Sequence, residues 1–330
     1  MKAHILITAP FTAEAAELLR PYAELRFGGW GVTKRKLTPE EMRQELAGAE
    51  IVITELDPVD AGAIAAHPQL RAIGCCRGNP VNVDVAAATA AGLPVLYTPA
   101  RNAVSVAELT VALMIMAARH VLAASASLRQ GHWGEGGLSP YLAFRGVELN
   151  SRTVGLVGLG AVGREVAARL VPFGVQLLVY DPYVPEEVVA RFGGRRVELL
   201  ELCRRSDFIS LHCNVTPETR GLFSRECFAA MKPTAYFINT ARAAIVDEAA
   251  LLEALRERRI AGAALDVFSE EPLPPQSPFL SLDNVILTPH IGGATEDVVR
   301  HHASMIAEDV VRFLRGERPR YVFNPEVLAK

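Results

Sequence analysis

The segment that decides the fold reads TVGLVGLGAVGREVAARLVPFGVQLLVYD and covers residues 153–181. An apolar run at 153–157 leads into a glycine-rich stretch and then a helical stretch to residue 173. A second apolar run at 175–180 ends in Asp181. A strand, a glycine-rich turn, a helix and a second strand in about thirty residues make up one βαβ unit. Because strand, helix and acidic residue all fall at the required spacing, the pattern favours a dinucleotide-binding unit over an ordinary strand–helix turn.

The three glycines of this unit each have a predicted role. Gly158 permits the tight turn, Gly160 lets a pyrophosphate approach the backbone, and Gly163 lets helix and strand pack closely. The start of the helix offers free N–H groups and the positive end of its dipole to phosphates. The Asp181 carboxylate would accept hydrogen bonds from both ribose hydroxyls and repel a 2′-phosphate. The sequence therefore predicts NAD, rather than NADP, as the cofactor.

Bulk properties narrow the class of protein. A length of 330 residues suggests two domains, and half of the residues are hydrophobic. A net charge of −3 argues against a nucleic-acid partner. No apolar run is long enough to cross a bilayer, and the amino terminus runs straight into a strand, so we expect a cytoplasmic protein without a secretory signal. The five cysteines show neither metal-ligand nor disulfide spacing, which predicts packed thiols and no metal.

Strands and helices alternate along the rest of the chain, which predicts an α/β protein. Before residue 101, five short strands with intervening helices form a small doubly wound, flavodoxin-like sheet; four of them are located at 4–8, 51–54, 70–74 and 95–97. A long apolar helix follows at 104–120, and the strands after the βαβ unit are expected at 208–211, 235–239, 261–266 and 285–287. We expect a Rossmann domain at 102–297, a second domain from 1–101 and 298–330, and a cleft between them.

Six motifs of the chain, in order, resemble those of the NAD-dependent D-2-hydroxyacid dehydrogenase family, which includes phosphoglycerate, glycerate, D-lactate and formate dehydrogenases. They are SVAE at 105–108, GLGAVG at 158–163, TPET at 216–219, NTAR at 239–242, DVFSEEP at 266–272 and TPHIGG at 288–293. Each motif alone would be modest evidence, but together they cover nearly the whole chain. Several follow predicted strands, at the edge where open α/β sheets bind ligands.

The resemblance implies a role for each matching residue. Arg242 would bind the substrate carboxylate through two parallel hydrogen bonds. His290 would act as general acid and base, and Glu271 would hold one tautomer of it and favour the protonated ring. Asp266 would bond the nicotinamide carboxamide. Further cofactor contacts would come from the amides of Ala161 and Val162 and from Thr240, Ala241, Arg242, His290 and Gly293. Taken singly, Arg242, Glu271 and His290 could each be an ordinary surface residue. His212 also matches a family position, and we interpret it as structural.

The substrate loop departs from the family pattern. Where the family usually reads G-x-G-x-D-N, this chain has RGNPVN at 77–82. Arg77, Gly78 and Asn79 are the candidate substrate contacts of this loop. Arg77 either holds a second anionic or hydroxylated group of the substrate or lies in solvent on a rearranged loop, and the sequence does not choose between them.

The resulting hypothesis is a homodimeric oxidoreductase that transfers a hydride between NAD(H) and C2 of a small 2-hydroxy or 2-keto acid. The resemblance places the dimer contacts around the helix from Val104 and the loop with Trp133. The alternative is an NAD(H)-responsive binding or corepressor-like module without significant turnover. Formate dehydrogenase fits less well, because that branch has glutamine where Glu271 stands. A phosphoglycerate dehydrogenase lacking the usual regulatory domain also fits.

Overall fold

The computed structural model describes residues 2–329, which form two compact units. The first unit comprises the residues up to Arg101 together with those from Thr295 onward, and the second is Asn102–Ala294. The division after Ala294 lies slightly before the expected boundary at residue 297. Thr295 is the N-cap of the last long helix, so the whole helix belongs to the first unit.

The strands, in chain order, are β1 (Ala3–Ile7), β2 (Ala23–Phe27), β3 (Ile51–Thr54), β4 (Ala72–Cys75), β5 (Val95–Tyr97), β6 (Thr153–Val157), β7 (Gln176–Tyr180), β8 (Arg195–Arg196), β9 (Phe208–Leu211), β10 (Tyr236–Asn239), β11 (Gly262–Leu265) and β12 (Val285–Leu287). The α-helices are α1 (Ala13–Leu19), α2 (Gly29–Thr33), α3 (Pro39–Glu45), α4 (Ala61–Ala66), α5 (Val85–Ala90), α6 (Ala103–Ala118), α7 (Val121–Arg129), α8 (Pro140–Ala143), α9 (Ala161–Leu170), α10 (Glu186–Ala190), α11 (Leu199–Arg205), α12 (Arg225–Ala230), α13 (Glu248–Arg256) and α14 (Glu296–Leu314).

The first unit contains a parallel sheet in the order β2-β1-β3-β4-β5. Its two faces are covered by separate hydrophobic clusters, one including Ile306 of α14 and the other including Met42 of α3. Helix α3 begins with a capping box: the Thr38 hydroxyl accepts from the Glu41 amide at 3.2 Å, and the Glu41 carboxylate accepts from the Thr38 amide at 2.8 Å.

The second unit contains a parallel sheet in the order β12-β11-β10-β9-β6-β7-β8. The chain enters at the interior strand β6, builds outward to β8, and returns to the other side of β6 with β9. This reversal makes the carboxyl ends of β6 and β9 the switch point at which such sheets bind ligands. The helix expected at 104–120 is α6, which packs on α9 and against β10 and β11.

Helix α6 is also the most apolar long helix of the chain. Within residues 2–329, no single helix is both long and apolar enough to span a bilayer, although α6 and α7, which meet at 65°, would pass that test as a bent pair. Most of α6 is buried within the second unit, as is usual for a core helix.

Candidate active site

The glycine-rich turn between β6 and α9 leaves no room for side chains at two of its three glycines. Gly158 has a φ of +97°, and a Cβ there would lie 2.7 Å from the amide nitrogen of Cys213. A Cβ on Gly163 would lie 2.4 Å from the carbonyl oxygen of Gly158. Real Cβ atoms do not approach backbone this closely, so the turn between β6 and α9 requires glycine at both positions.

Gly160 differs from its two neighbours, because a Cβ added there would meet no atom within 4 Å. It is also the N-cap of α9, and no side chain caps that helix start. The first-turn amides of Ala161 and Val162 therefore face open space with the positive end of the helix dipole behind them. These features fit the pyrophosphate of a dinucleotide, with Gly160 leaving the space through which the phosphates approach.

Asp181 follows β7 and lies beside the same turn. One carboxylate oxygen accepts from the Leu159 amide at 2.8 Å, and the other accepts from the Tyr183 amide at 3.0 Å. The residue is half-buried, and each of these oxygens keeps a second lone pair. The two amides thus fix the carboxylate without using up its capacity to accept hydrogen bonds from a ribose.

His212 lies at the carboxyl end of β9, against the glycine-rich turn. It is buried, and neither ring nitrogen has a hydrogen-bond partner within residues 2–329. Burial lowers the pKa of His212 to about 3, so the imidazole is neutral at physiological pH. A neutral, packed ring agrees with the structural interpretation of this histidine.

His290 and Glu271 form a direct pair in the second unit. Nδ1 of His290 lies 2.7 Å from Oε2 of Glu271, and Oε1 of Glu271 accepts from the Phe268 amide at 3.0 Å. Partial burial acts to raise the pKa of Glu271, but the hydrogen bonds from His290 and Phe268, together with the charge of Arg242, outweigh it and lower that pKa. Glu271 is therefore ionised, and Nδ1–H of His290 donates to it. Nε2 has no partner within the described residues and is the nitrogen left to exchange a proton.

The loop that carries His290 is held by Asp266, a contact that the sequence did not indicate. Asp266 is 1 % exposed. One of its oxygens accepts from the Thr288 hydroxyl at 2.6 Å and the Ile291 amide at 2.9 Å, and the other accepts from the Gly292 amide at 2.8 Å. These three bonds enclose His290, whose φ of +54° is unusual for a residue with a side chain. Asp266 thus fixes the strained backbone that presents the imidazole, and one lone pair remains for the expected carboxamide.

The NTAR segment is organised by Asn239, whose side chain is buried at the end of β10. Its oxygen accepts from the Ala241 amide at 3.0 Å and its nitrogen donates to the Arg242 carbonyl at 3.1 Å. The Thr240 hydroxyl pairs with that of Thr110 at 2.8 Å, which fixes its side chain. Arg242 is exposed, and within residues 2–329 its guanidinium bonds only the Ala241 carbonyl, at 2.6 Å. Most donors of this arginine are therefore free for a carboxylate.

The remaining candidates have less specific surroundings. Gly293 is half-buried, and a Cβ there would lie 3.2 Å from Nδ2 of Asn102. In the first unit, Gly78 and Asn79 are exposed and Arg77 is half-buried on the loop after β4. Residues 2–329 include no group of three or more His, Cys, Asp or Glu side chains that could hold a metal ion.

Comparisons with known proteins identify the family to which the chain is similar. Residues 111–292 match the model of the family described as "D-isomer specific 2-hydroxyacid dehydrogenase, NAD binding domain". The chain is 40% identical over 322 residues to D-3-phosphoglycerate dehydrogenase of Methanocaldococcus jannaschii, covering 97% of this chain and 59% of that protein. It is 39% identical over 272 residues to glyoxylate reductase of Korarchaeum cryptofilum, covering 82% of this chain and 81% of that protein. The crystal structure of the TT0316 protein from Thermus thermophilus superposes with a TM-score of 0.81 at 34% identity, covering 97% and 99% of the two chains. The chain spans about three fifths of the phosphoglycerate dehydrogenase.

Proposed function

Because the chain belongs to the D-isomer specific 2-hydroxyacid dehydrogenase family, we propose that it transfers a hydride between NAD(H) and C2 of a small 2-hydroxy or 2-keto acid. NAD is the cofactor, since residues 111–292 are the NAD binding domain of that family. The observation that carries the proposal is the 2.7 Å contact between Nδ1 of His290 and Oε2 of Glu271. This contact leaves Nε2 of the imidazole free to exchange a proton with a substrate.

In this proposal the protein binds, orients and exchanges a proton, while NAD(H), when bound, accepts or supplies the hydride. Arg242 binds the substrate carboxylate through a planar pair of N–H donors, which fixes the direction of the keto carbon. Protonated His290 gives its Nε2 proton to the carbonyl oxygen during reduction, and neutral His290 removes the hydroxyl proton during oxidation. Ionised Glu271 keeps Nδ1 protonated and stabilises the imidazolium.

The proposed cofactor site uses the residues whose surroundings were described above. It comprises the backbone of the glycine-rich turn, the carboxylate that follows β7, and the loops after β10, β11 and β12, that is, Gly158, Gly160, Ala161, Val162, Gly163, Asp181, Thr240, Ala241, Arg242, Asp266, His290 and Gly293.

A homodimer is part of the proposal. None of the α7 residues is buried, and large apolar side chains along α7, the following loop and α8 are exposed, including Leu128 at 57%, Trp133 at 77% and Tyr141 at 81%. Exposed apolar side chains concentrated in one segment are typical of a protein–protein contact. The expected contribution of α6 is smaller, because that helix is mostly buried within its own unit. The cytoplasmic location stays a prediction from the sequence.

The test is NADH oxidation by the purified chain with a panel of 2-keto acids: glyoxylate, hydroxypyruvate, pyruvate and longer homologues. We expect turnover with at least one of them, and loss of that turnover in the His290→Asn variant. Tight NADH binding without turnover of any member of the panel would overturn the proposal and favour the NAD(H)-responsive binding module.

A further inference from the structure

Two arginines lie at the carboxyl edge of the five-stranded sheet, and the structure gives them different surroundings. Arg101, which follows β5, donates from Nη1 to Oε1 of Glu55 at 2.6 Å and to Nδ1 of His302 at 2.6 Å. The side chains of Arg101 and Glu55 are only 16% and 14% exposed. The charge of Arg101 is therefore neutralised inside the first unit.

His302 closes this network and fixes its protonation. Because a guanidinium cannot accept a hydrogen bond, Nδ1 of His302 is the acceptor, and Nε2–H donates to the Pro10 carbonyl at 2.9 Å. Burial and the neighbouring Arg101 lower the pKa of His302 below its usual range, despite opposing contributions from the Pro10 carbonyl and Glu55. Nη1 of Arg101 thus donates to both Glu55 and His302, and the adjacent Glu55 carboxylate offsets its charge, which weakens its attraction for another anion.

Arg77, on the loop after β4, is half-buried and has no such partner. Among residues 2–329, its guanidinium makes neither an ion pair nor a hydrogen bond, in contrast to Arg101. The nearby Cys75 does not supply a charge, because burial raises the pKa of that thiol to about 12. The Arg77 carbonyl accepts from the Thr98 amide at 3.0 Å, so the backbone that carries the side chain is anchored to the end of β5. A half-buried arginine with an anchored backbone and no carboxylate partner is suited to binding an anion from outside the chain.

We propose that Arg77 binds a second anionic group on the substrate, so that this chain prefers 2-keto acids bearing a distal carboxylate or phosphate. The inference rests on the proposed function and on the expectation from the sequence that the loop at 77–82 contacts the substrate. Carboxylates and phosphates share the planar arrangement of acceptor oxygens that a guanidinium binds through two N–H groups. Because Arg101 is paired with Glu55 and Arg77 is not, Arg77 is the arginine of this edge that we expect to bind the second anionic group.

The experiment compares kcat/KM for matched substrates in the NADH-linked reduction. Oxaloacetate is paired with 2-oxobutyrate, and 3-phosphohydroxypyruvate with hydroxypyruvate, so that each pair tests one kind of added anion. In at least one pair, we expect the substrate with the added anionic group to have the higher kcat/KM. The pair that shows this preference identifies the second group as a carboxylate or a phosphate. Arg77→Ala should lower that dianion-to-monoanion ratio by about tenfold to a hundredfold, the value of a charged hydrogen bond.

Arg71→Ala is the matched control. Arg71 directly precedes β4 at the opposite end of the strand, and it pairs with Glu50 at 3.0 Å, so its removal changes the net charge equally at a different place. This variant should keep the wild-type ratio. The inference is overturned if Arg77→Ala leaves the ratio unchanged, if it lowers both members of a pair equally, or if Arg71→Ala lowers the ratio as much.

A calorimetric titration with the same four compounds separates this inference from the proposed function. Absence of all turnover would overturn the proposed function. In that case the ratio of the dissociation constants for oxaloacetate and 2-oxobutyrate, and for the phosphate pair, still decides whether Arg77 recognises a second anion. A ratio that falls in Arg77→Ala supports the inference, and an unchanged ratio contradicts it.

Discussion

Gly160→Ala separates cofactor binding from folding at the glycine-rich turn. The backbone at Gly160 has a φ of −71°, which alanine adopts readily, and the added methyl would meet no protein atom within 4 Å. In the absence of cofactor we therefore expect the free energy of unfolding to stay the same or to rise by about 0.4–1 kcal/mol, because alanine restricts the unfolded chain.

The same methyl occupies the space through which a pyrophosphate approaches the amides of Ala161 and Val162. Overpacking by one methyl typically costs about 1–3 kcal/mol, which corresponds to an increase in the NADH dissociation constant of about fivefold to more than a hundredfold. The assays are fluorescence titration with NADH and chemical denaturation of the cofactor-free protein.

Gly163→Ala is the contrasting variant. Its methyl would lie 2.4 Å from the Gly158 carbonyl oxygen, so α9 must shift, and we expect the free energy of unfolding to fall by about 1–3 kcal/mol. A Gly160→Ala protein that folds normally and binds NADH with the wild-type dissociation constant would refute the assignment of this turn to the pyrophosphate.

Three further predictions test the active-site loop and the dimer. Glu271→Gln replaces the carboxylate that accepts from Nδ1 of His290 and should lower kcat/KM for keto-acid reduction by about tenfold to a hundredfold, the value of a charged hydrogen bond; an unchanged kcat/KM would contradict this pairing. Asp266→Asn replaces one acceptor oxygen by a donor facing buried partners and should lower the free energy of unfolding by about 1.5–3 kcal/mol in chemical denaturation, whereas an unchanged midpoint would remove Asp266 from its role in the loop. Leu128→Asp should give a monomer in sedimentation equilibrium while the similarly exposed Leu280→Asp control stays dimeric; two dimeric variants would exclude this surface.

The interior of both sheets could be predicted from sequence because buried strands are short apolar runs. The strands expected at 208–211 and 285–287 have the observed bounds, and the βαβ unit appears as predicted. Two strands were missed, β2 and β8, with the sequences AELRF and RR. Both are at the edge of a sheet, where most side chains face water and the apolar pattern that identifies a strand is weak. The short helix α2 was also missed.

The candidate catalytic residues could be predicted by matching motifs, whereas the contacts that hold them in place could be found only from the structure. The sequence placed Asp266 at the end of one strand and Thr288 at the end of another, but it did not show that β11 and β12 are adjacent. That adjacency lets one buried carboxylate bind the loop around His290. Arg77 could be recognised as a departure from the family, but only the structure shows that, within residues 2–329, Glu55 pairs with Arg101 and Arg77 has no acidic partner.

The most direct test of the proposed chemistry is a single-turnover measurement of NADH oxidation with saturating keto acid, comparing the wild type with His290→Asn. Because the proton for the carbonyl oxygen is proposed to come from Nε2 of His290, we predict that the rate of the chemical step falls by about a hundredfold or more at saturating NADH. An asparagine variant that oxidises NADH at the wild-type rate would show that this imidazole does not deliver the proton.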